Sequence, residues 1–122
     1  MVSNLAQIKI REVNLLFVCS RNRWRSATAE AIYRNSVSHK VKSGGTEPSA
    51  VVKVSAKNIS WSDIIFVMEK KHKLRLEEKF TEEIRNKTIV VLNIDDDYEY
   101  MDAELVEMIK TSVEPYLTKF NK

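Results

Sequence analysis

At 122 residues, 43% hydrophobic and 30% charged, the chain fits one compact core and excludes two independent domains. No apolar run approaches the roughly 18 residues that span a bilayer, and the first twelve residues lack the apolar region and cleavage site of a secretory leader, so a soluble cytoplasmic protein is expected. The one cysteine excludes an internal disulfide and any metal site built from several cysteines of one chain, while the net charge of +3 favours anionic partners without pointing to nucleic acid.

Residues 1–12 are mixed in character and read as an N-terminal extension that can add an edge strand, with a single domain over 13–122. Val13 to Val18 holds Leu15, Leu16, Phe17 and Val18 in succession, the pattern of a strand buried on both faces of a parallel sheet. A polar loop follows, and Ser26 to Val37 has apolar residues at Ala29, Ile32, Tyr33 and Val37, a helical period. Val41 to Thr46 reads as a short strand ending in the only two glycines, where close backbone approach is needed.

Residues 49–60, with Val51, Val52, Val54 and Ile59 among lysines, predict a weakly amphipathic helix. Asp63 to Met68 is a second buried strand, and Glu69 to Asn86 a charged surface helix with Leu74, Leu76, Phe80 and Ile84 as its apolar members. Thr88 to Leu92 reads as a further central strand. Asn93 to Asp102 is a loop rich in acids and tyrosines, and Ala103 to Phe120 a closing helix with Leu105, Val106, Ile109, Val113 and Leu117 inward.

This alternation predicts an α/β fold, a parallel sheet with right-handed crossovers and helices on both faces. Ligands of such sheets sit beyond the carboxyl ends of the strands. Cys19, Ser43 to Thr46, Met68 and Glu69, and Asp95 to Asp97 each follow a strand, so they converge on one edge.

The segment Cys19 to Ser26, CSRNRWRS, contains Cys-x5-Arg-Ser. A strand that ends in a donor-rich loop before a helix gathers backbone N–H groups and a helix N-terminus around one point, which suits phosphate. A thiol in that setting loses its proton readily, which makes Cys19 a candidate nucleophile that forms a phosphocysteine. Arg25 offers a planar fork to two phosphoryl oxygens. Ser26 can donate its hydroxyl to the sulfur, and Asn22 tolerates the left-handed backbone that holds such a loop open. Asp95, Asp96 and Asp97 are candidate proton donors for the leaving oxygen, since crowding and partial burial favour the protonated carboxyl. Tyr98 and Tyr100 stand beside them and can wall an aromatic substrate. Arginine and backbone donors supply the charge stabilisation that a metal would, so neither metal nor cofactor is expected.

The stretch LLFVCSRNRWRSATAEAIY resembles the active-site segment of the low-molecular-weight protein tyrosine phosphatases, a hydrophobic strand, Cys-x-x-Asn-x-x-Arg-Ser, then a helix with Ala-Glu, here Ala29 and Glu30. SGGTEP at Ser43 to Pro48 is similar to that family's Ser-Ala-Gly-Thr turn, DIIFVME at Asp63 to Glu69 to its third strand, and DDY at Asp96 to Tyr98 to its Asp-Pro-Tyr acid loop. The resemblance implies a three-layer doubly wound sheet of about four parallel strands in the order 2-1-3-4, of the phosphotyrosine protein phosphatase I kind. It implies Cys19 as nucleophile, Arg25 as phosphate clamp and Asp96 as general acid. It further implies a phosphate-binding loop of Ser20, Arg21, Asn22, Arg23, Trp24 and Ser26, with Ser43, Asp97 and Tyr98 in support. Inorganic phosphate or sulfate is expected in the loop, and a phosphorylated protein or small aryl phosphate as substrate.

The chain departs from that pattern at Arg21, where the family has glycine, at Trp24, where many members have a second cysteine, at Ala27 and Asp97, where proline is usual, and in a shorter stretch between Thr46 and Asp63. Arg21 and Arg23 add positive charge at the mouth, which favours a substrate with acidic groups or more than one phosphate, and Asp97 leaves the acid open between two neighbours. The competing readings are an arsenate reductase, which here needs an external thiol, a phosphotransfer module, and a phosphate-binding or signalling module with weak or no turnover. Elsewhere, His39 and His72 read as surface residues, Met68 and Trp61 as packing, Trp24 as pocket rim and Tyr33 as half-buried.

Overall fold

The computed structural model describes residues 12–120, and the N-terminal extension expected over 1–12 lies almost wholly outside them. The chain alternates β1 (Val13–Cys19), α1 (Arg25–Tyr33), β2 (His39–Gly45), α2 (Ala56–Trp61), β3 (Ile64–Val67), α3 (Lys70–Lys79), β4 (Thr88–Val91) and α4 (Ala103–Phe120). All strands pair in parallel in the order β2-β1-β3-β4, with Cys19 opposite Gly45 and Val18 opposite both Gly44 and Val67.

The apolar run of β1 is buried on both faces because strand side chains alternate and each face carries helices. Val13, Leu15, Phe17 and Cys19 join Ala29 and Tyr33 of α1, Phe66 of β3 and Leu105, Ile109, Val113 and Leu117 of α4 in one core. Leu16 and Val18 pack on the other face with Ile59 of α2, Leu76 of α3 and Val54, Ile65, Val67 and Ile84. From β1 the chain moves through α1 to β2 on one side, then through α2 to β3 and through α3 to β4 on the other. The C-terminal end of β1 is therefore where strand order reverses, the place such sheets open a crevice.

Several expected boundaries shift. The first helix stops at Tyr33 rather than Val37, which is 91% exposed, because Ser36 and His39 close a turn that starts β2. Tyr33 itself is buried. The predicted helix over 49–60 is confined to Ala56–Trp61, where Ser55 accepts from the Asn58 amide and forms a capping box. Val51 and Val52 are exposed, and the backbone before the cap serves the loop after β1, as described below. The charged helix ends at Lys79 rather than Asn86, with Leu74 outward, and the chain turns through 81–86 while Ile84 returns to the core. Thr88–Val91 is an edge strand, half-buried, rather than a central one.

Candidate active site

The loop between Cys19, last residue of β1, and Arg25, first residue of α1, is shaped from outside. The carbonyls of Cys19, Ser20 and Arg21 accept from the amides of Thr46 (3.0 Å), Glu47 (2.9 Å) and Val51 (2.9 Å). The described peptides are all trans, so the N–H groups of Ser20, Arg21 and Asn22 point away from those carbonyls. The amide of Asn22 donates to Cys19 Sγ at 3.2 Å. Asn22 adopts φ 58°, the left-handed backbone expected of it.

Its side chain fixes a directed chain of hydrogen bonds. Asn22 Oδ1 accepts from the Val52 amide, so Nδ2 donates to Ser26 Oγ (2.8 Å) and to Ser43 Oγ (2.9 Å). The Ser43 hydroxyl in turn donates a hydrogen bond to the Glu30 carboxylate. Ser26, an acceptor from Asn22, has its hydroxyl proton to place between Cys19 Sγ at 3.0 Å and the longer contact with Gly44 O at 3.5 Å. Cys19 is 3% exposed and has hydrogen-bond partners on two sides, the Asn22 amide and the Ser26 hydroxyl.

Gly45 is where this loop and the next touch. A Cβ there would lie 2.6 Å from Ser20 O and 2.6 Å from Ala50 Cβ, so even alanine must push loop backbone aside. Gly45→Ala is expected to destabilise the fold by roughly 1–3 kcal/mol and to weaken phosphate binding in the same variant. Thermal unfolding together with phosphate titration checks both.

Arg25 is 2% exposed, and its charge is met by carboxylates brought from the ends of β3 and β4. Nη1 donates to the Glu69 carboxylate and to Ile94 O (2.9 Å), and Nε lies 3.5 Å from Asp96 Oδ1. Burial opposes ionisation of Glu69, but the Arg25 hydrogen bond and charge outweigh it and hold the carboxyl below its usual range. Cys19, Arg21, Arg23, Trp24, Arg25 and Asp96 line a cavity of about 50 Å³. A larger depression of about 270 Å³, whose wall includes Lys53, Arg75 and Phe80, does not include Cys19, so size alone does not mark the site.

The acidic loop is exposed at Asp95, Asp96 and Asp97 rather than partly buried, and of the three Asp96 lines the cavity. Tyr98 packs against the α1/α4 core instead of entering the cavity wall, and Tyr100 is also outside it. The aromatic at the mouth is Trp24, with the Arg23 guanidinium 5.5 Å from its ring centre. Thus the structure brings together Cys19, Asn22, Arg25, Ser26, Ser43 and Asp96, and leaves Asp97 and Tyr98 at the periphery.

His72, expected at the surface, is 1% exposed and is the residue that sequence reading missed. Its Nδ1 accepts from the Glu69 amide at 3.0 Å, which puts the proton on Nε2, donated to Ser20 Oγ at 2.9 Å. One ring thereby ties the loop after β1 to the residue that pairs with Arg25. The available signal was position: His72 is three residues after the Glu69 N-cap and four before buried Leu76 on one helical face.

Burial first, then Arg25 and Lys71, lower the His72 pKa from 6.5 to about 4 against the opposing pull of Glu69 and Asp96. Below pH 6.5 the unfolded chain takes up a proton that the folded chain refuses. Stability is therefore present in full above that pH and falls by roughly 1.4 kcal/mol per unit as pH drops toward 4. Denaturant midpoints across this range should show the slope, and His72→Gln should lose that component of it.

No protein-family model matches the chain, and no curated protein sequence does either. Solved structures do match. SP-PTP, a low molecular weight protein tyrosine phosphatase from Streptococcus pyogenes, has TM-score 0.71 at 15% identity, covering 88% of this chain and 92% of that one. The tyrosine phosphatase Wzb from Escherichia coli K30, solved with phosphate, has TM-score 0.70 at 19% identity over 87% and 96%. The YwlE arginine phosphatase from Geobacillus stearothermophilus has TM-score 0.66 at 20% identity over 88% and 94%. The four-stranded parallel α/β architecture of this chain is the fold of the low-molecular-weight protein tyrosine phosphatases.

Proposed function

We propose that the chain is a cysteine-dependent phosphomonoester hydrolase, a protein tyrosine phosphatase in its first reading, formed by a single catalytic domain over 13–122. The observation that carries this is Cys19 Sγ, held by the Ser26 hydroxyl at 3.0 Å and the Asn22 amide at 3.2 Å in a cavity shared with Arg25 and Asp96. The fold shared with tyrosine and arginine phosphatases supports it.

In this reading the Cys19 thiolate attacks phosphorus while Arg25 and the loop amides bind the equatorial oxygens. The ester P–O bond breaks, and Asp96 gives its proton to the leaving oxygen. The Asp96 carboxylate then takes a proton from water, whose oxygen attacks phosphorus. The P–S bond breaks, its electron pair returns to sulfur under the Ser26 hydrogen bond, and inorganic phosphate departs. No described helix is long and apolar enough to cross a membrane. A reducing cytoplasm would keep the lone thiol free.

The test is rapid mixing with an aryl phosphate, following phenol release and acid-quenching for mass analysis. A phenol burst with a phosphoryl adduct on Cys19 is expected. A second reading, a phosphate-binding module with little turnover, is favoured by the 3.5 Å approach of Asp96 to Arg25, which engages the acid with the clamp. Tight phosphate binding with neither burst nor adduct would select that module.

A further inference from the structure

The mouth of the cavity carries positive charge that the protein itself leaves unmatched. Arg21, Arg23 and Arg25 all line it, against one lining carboxylate, Asp96. Arg25 is buried and takes both Glu69 and Asp96 as partners, so the one carboxylate that lines the cavity is engaged with it. Arg21 and Arg23 are exposed, and among the described residues neither forms an ion pair. They are also held in place. The Arg21 carbonyl accepts from the Val51 amide, and the Arg23 guanidinium lies beside the Trp24 ring at 5.5 Å, a contact that limits its rotamers. A cavity of about 50 Å³ takes little beyond the phosphoryl group, so the rest of a substrate lies on this rim.

We propose that Arg21 and Arg23 are specificity-determining residues that select phosphoryl ligands carrying a second anionic group a few ångströms from the phosphorus. This rests on the reading of Cys19 to Arg25 as the phosphoryl site and names the substrate class of that site. The shared chemistry is the second anion, whether it sits on a small aryl phosphate or on acidic residues flanking a phosphotyrosine. A leaving group with a guanidinium of its own, as in a phosphorylated arginine, would meet two like charges and be disfavoured.

The test uses phosphonates, which bind without being cleaved, on the full chain by calorimetry. 4-Carboxybenzylphosphonate is expected to bind about three- to tenfold tighter than benzylphosphonate at low salt, the worth of one or two rim charges, and the advantage should shrink as salt screens it. A 4-guanidinobenzyl analogue should bind more weakly than either. In Arg21→Gln/Arg23→Gln the ratio between the first two ligands should fall to about one, and in Arg21→Lys/Arg23→Lys it should persist. A peptide bearing the same phosphonate between glutamates, compared with its glutamine counterpart, assigns the source. Gain in the peptide arm points to an acidic phosphoprotein, and gain confined to the small ligand points to a small aryl phosphate.

Equal binding of the charged and uncharged members in both arms overturns the proposal, as does a ratio that survives Arg→Gln at both positions. Hydrolysis of phenyl phosphate is assayed in parallel. A preserved ratio without hydrolysis removes the hydrolase reading and leaves the selectivity standing, whereas hydrolysis with a ratio of one does the reverse.

Discussion

Cys19→Ser is expected to lower aryl phosphate turnover by about 10⁴-fold or more, while phosphate or tungstate binding stays within a few-fold of wild type. The groups around Sγ explain the size of the effect. Ser26 Oγ at 3.0 Å and the Asn22 amide at 3.2 Å are its partners, and neither is a base that could pull a proton from a serine hydroxyl. Serine is also the poorer leaving group in the second step, so a phosphoseryl chain that accumulates without turnover would still place the phosphoryl group on residue 19.

Binding should survive because the loop amides and Arg25, to which the proposal gives the anion, have their geometry set by Thr46, Glu47, Val51, Glu69 and Ile94 rather than by sulfur. Steady-state rates with calorimetric phosphate titration separate the outcomes. Unchanged turnover in the serine variant rules out the Cys19 thiolate as the required nucleophile. Loss of binding along with turnover shows that the loop has collapsed and leaves the nucleophile to be identified by adduct mapping.

The parts of this site that lie in one stretch were legible from the residues. Leu15 to Cys19 is apolar without a break because helices cover both sheet faces, and its burial follows that prediction. Asn22, Arg25 and Ser26 take the positions their chemistry suggested because the loop is short and its ends are fixed by β1 and α1. What escaped depends on contacts far along the chain. The valines at 51 and 52 have the spacing of a helix face, but their amides are taken by Arg21 O and Asn22 Oδ1, roughly thirty positions back, and helix starts only after Ser55.

His72 stands among lysines, where a surface position is the natural reading. It is buried because α3 packs beside the phosphate loop and gives each ring nitrogen a partner. The strand Thr88–Val91 is as apolar as a central one, yet it lies at the sheet edge. Composition reports burial of a strand and not its neighbours. Val37 likewise continues the period of α1 in sequence, and the need to turn back into β2 leaves it in solvent.

Asp96→Asn is expected to slow cleavage of aryl phosphates by roughly 10²–10⁴-fold, the usual worth of a placed general acid, and Asp97→Asn to leave the rate within about threefold of wild type. The family resemblance pointed to Asp96, while Asp97, standing where proline is usual, left the role open between the two neighbours. The structure separates them: Asp96 lines the cavity with Cys19 and has Oδ1 3.5 Å from Arg25 Nε, while Asp97 is exposed and absent from the cavity wall. The effect of Asp96→Asn should depend on the leaving group, because a proton donor matters most where the departing oxygen is basic. Phenyl phosphate should lose more than p-nitrophenyl phosphate, whose phenolate leaves unaided. A merely structural role, through the ion pair with Arg25, would depress both alike and weaken phosphate binding as well. A series of substituted phenyl phosphates, run on wild type and both variants, decides between them. If Asp97→Asn shows the leaving-group dependence and Asp96→Asn does not, the acid is Asp97, and the acidic loop must swing by one residue when substrate enters.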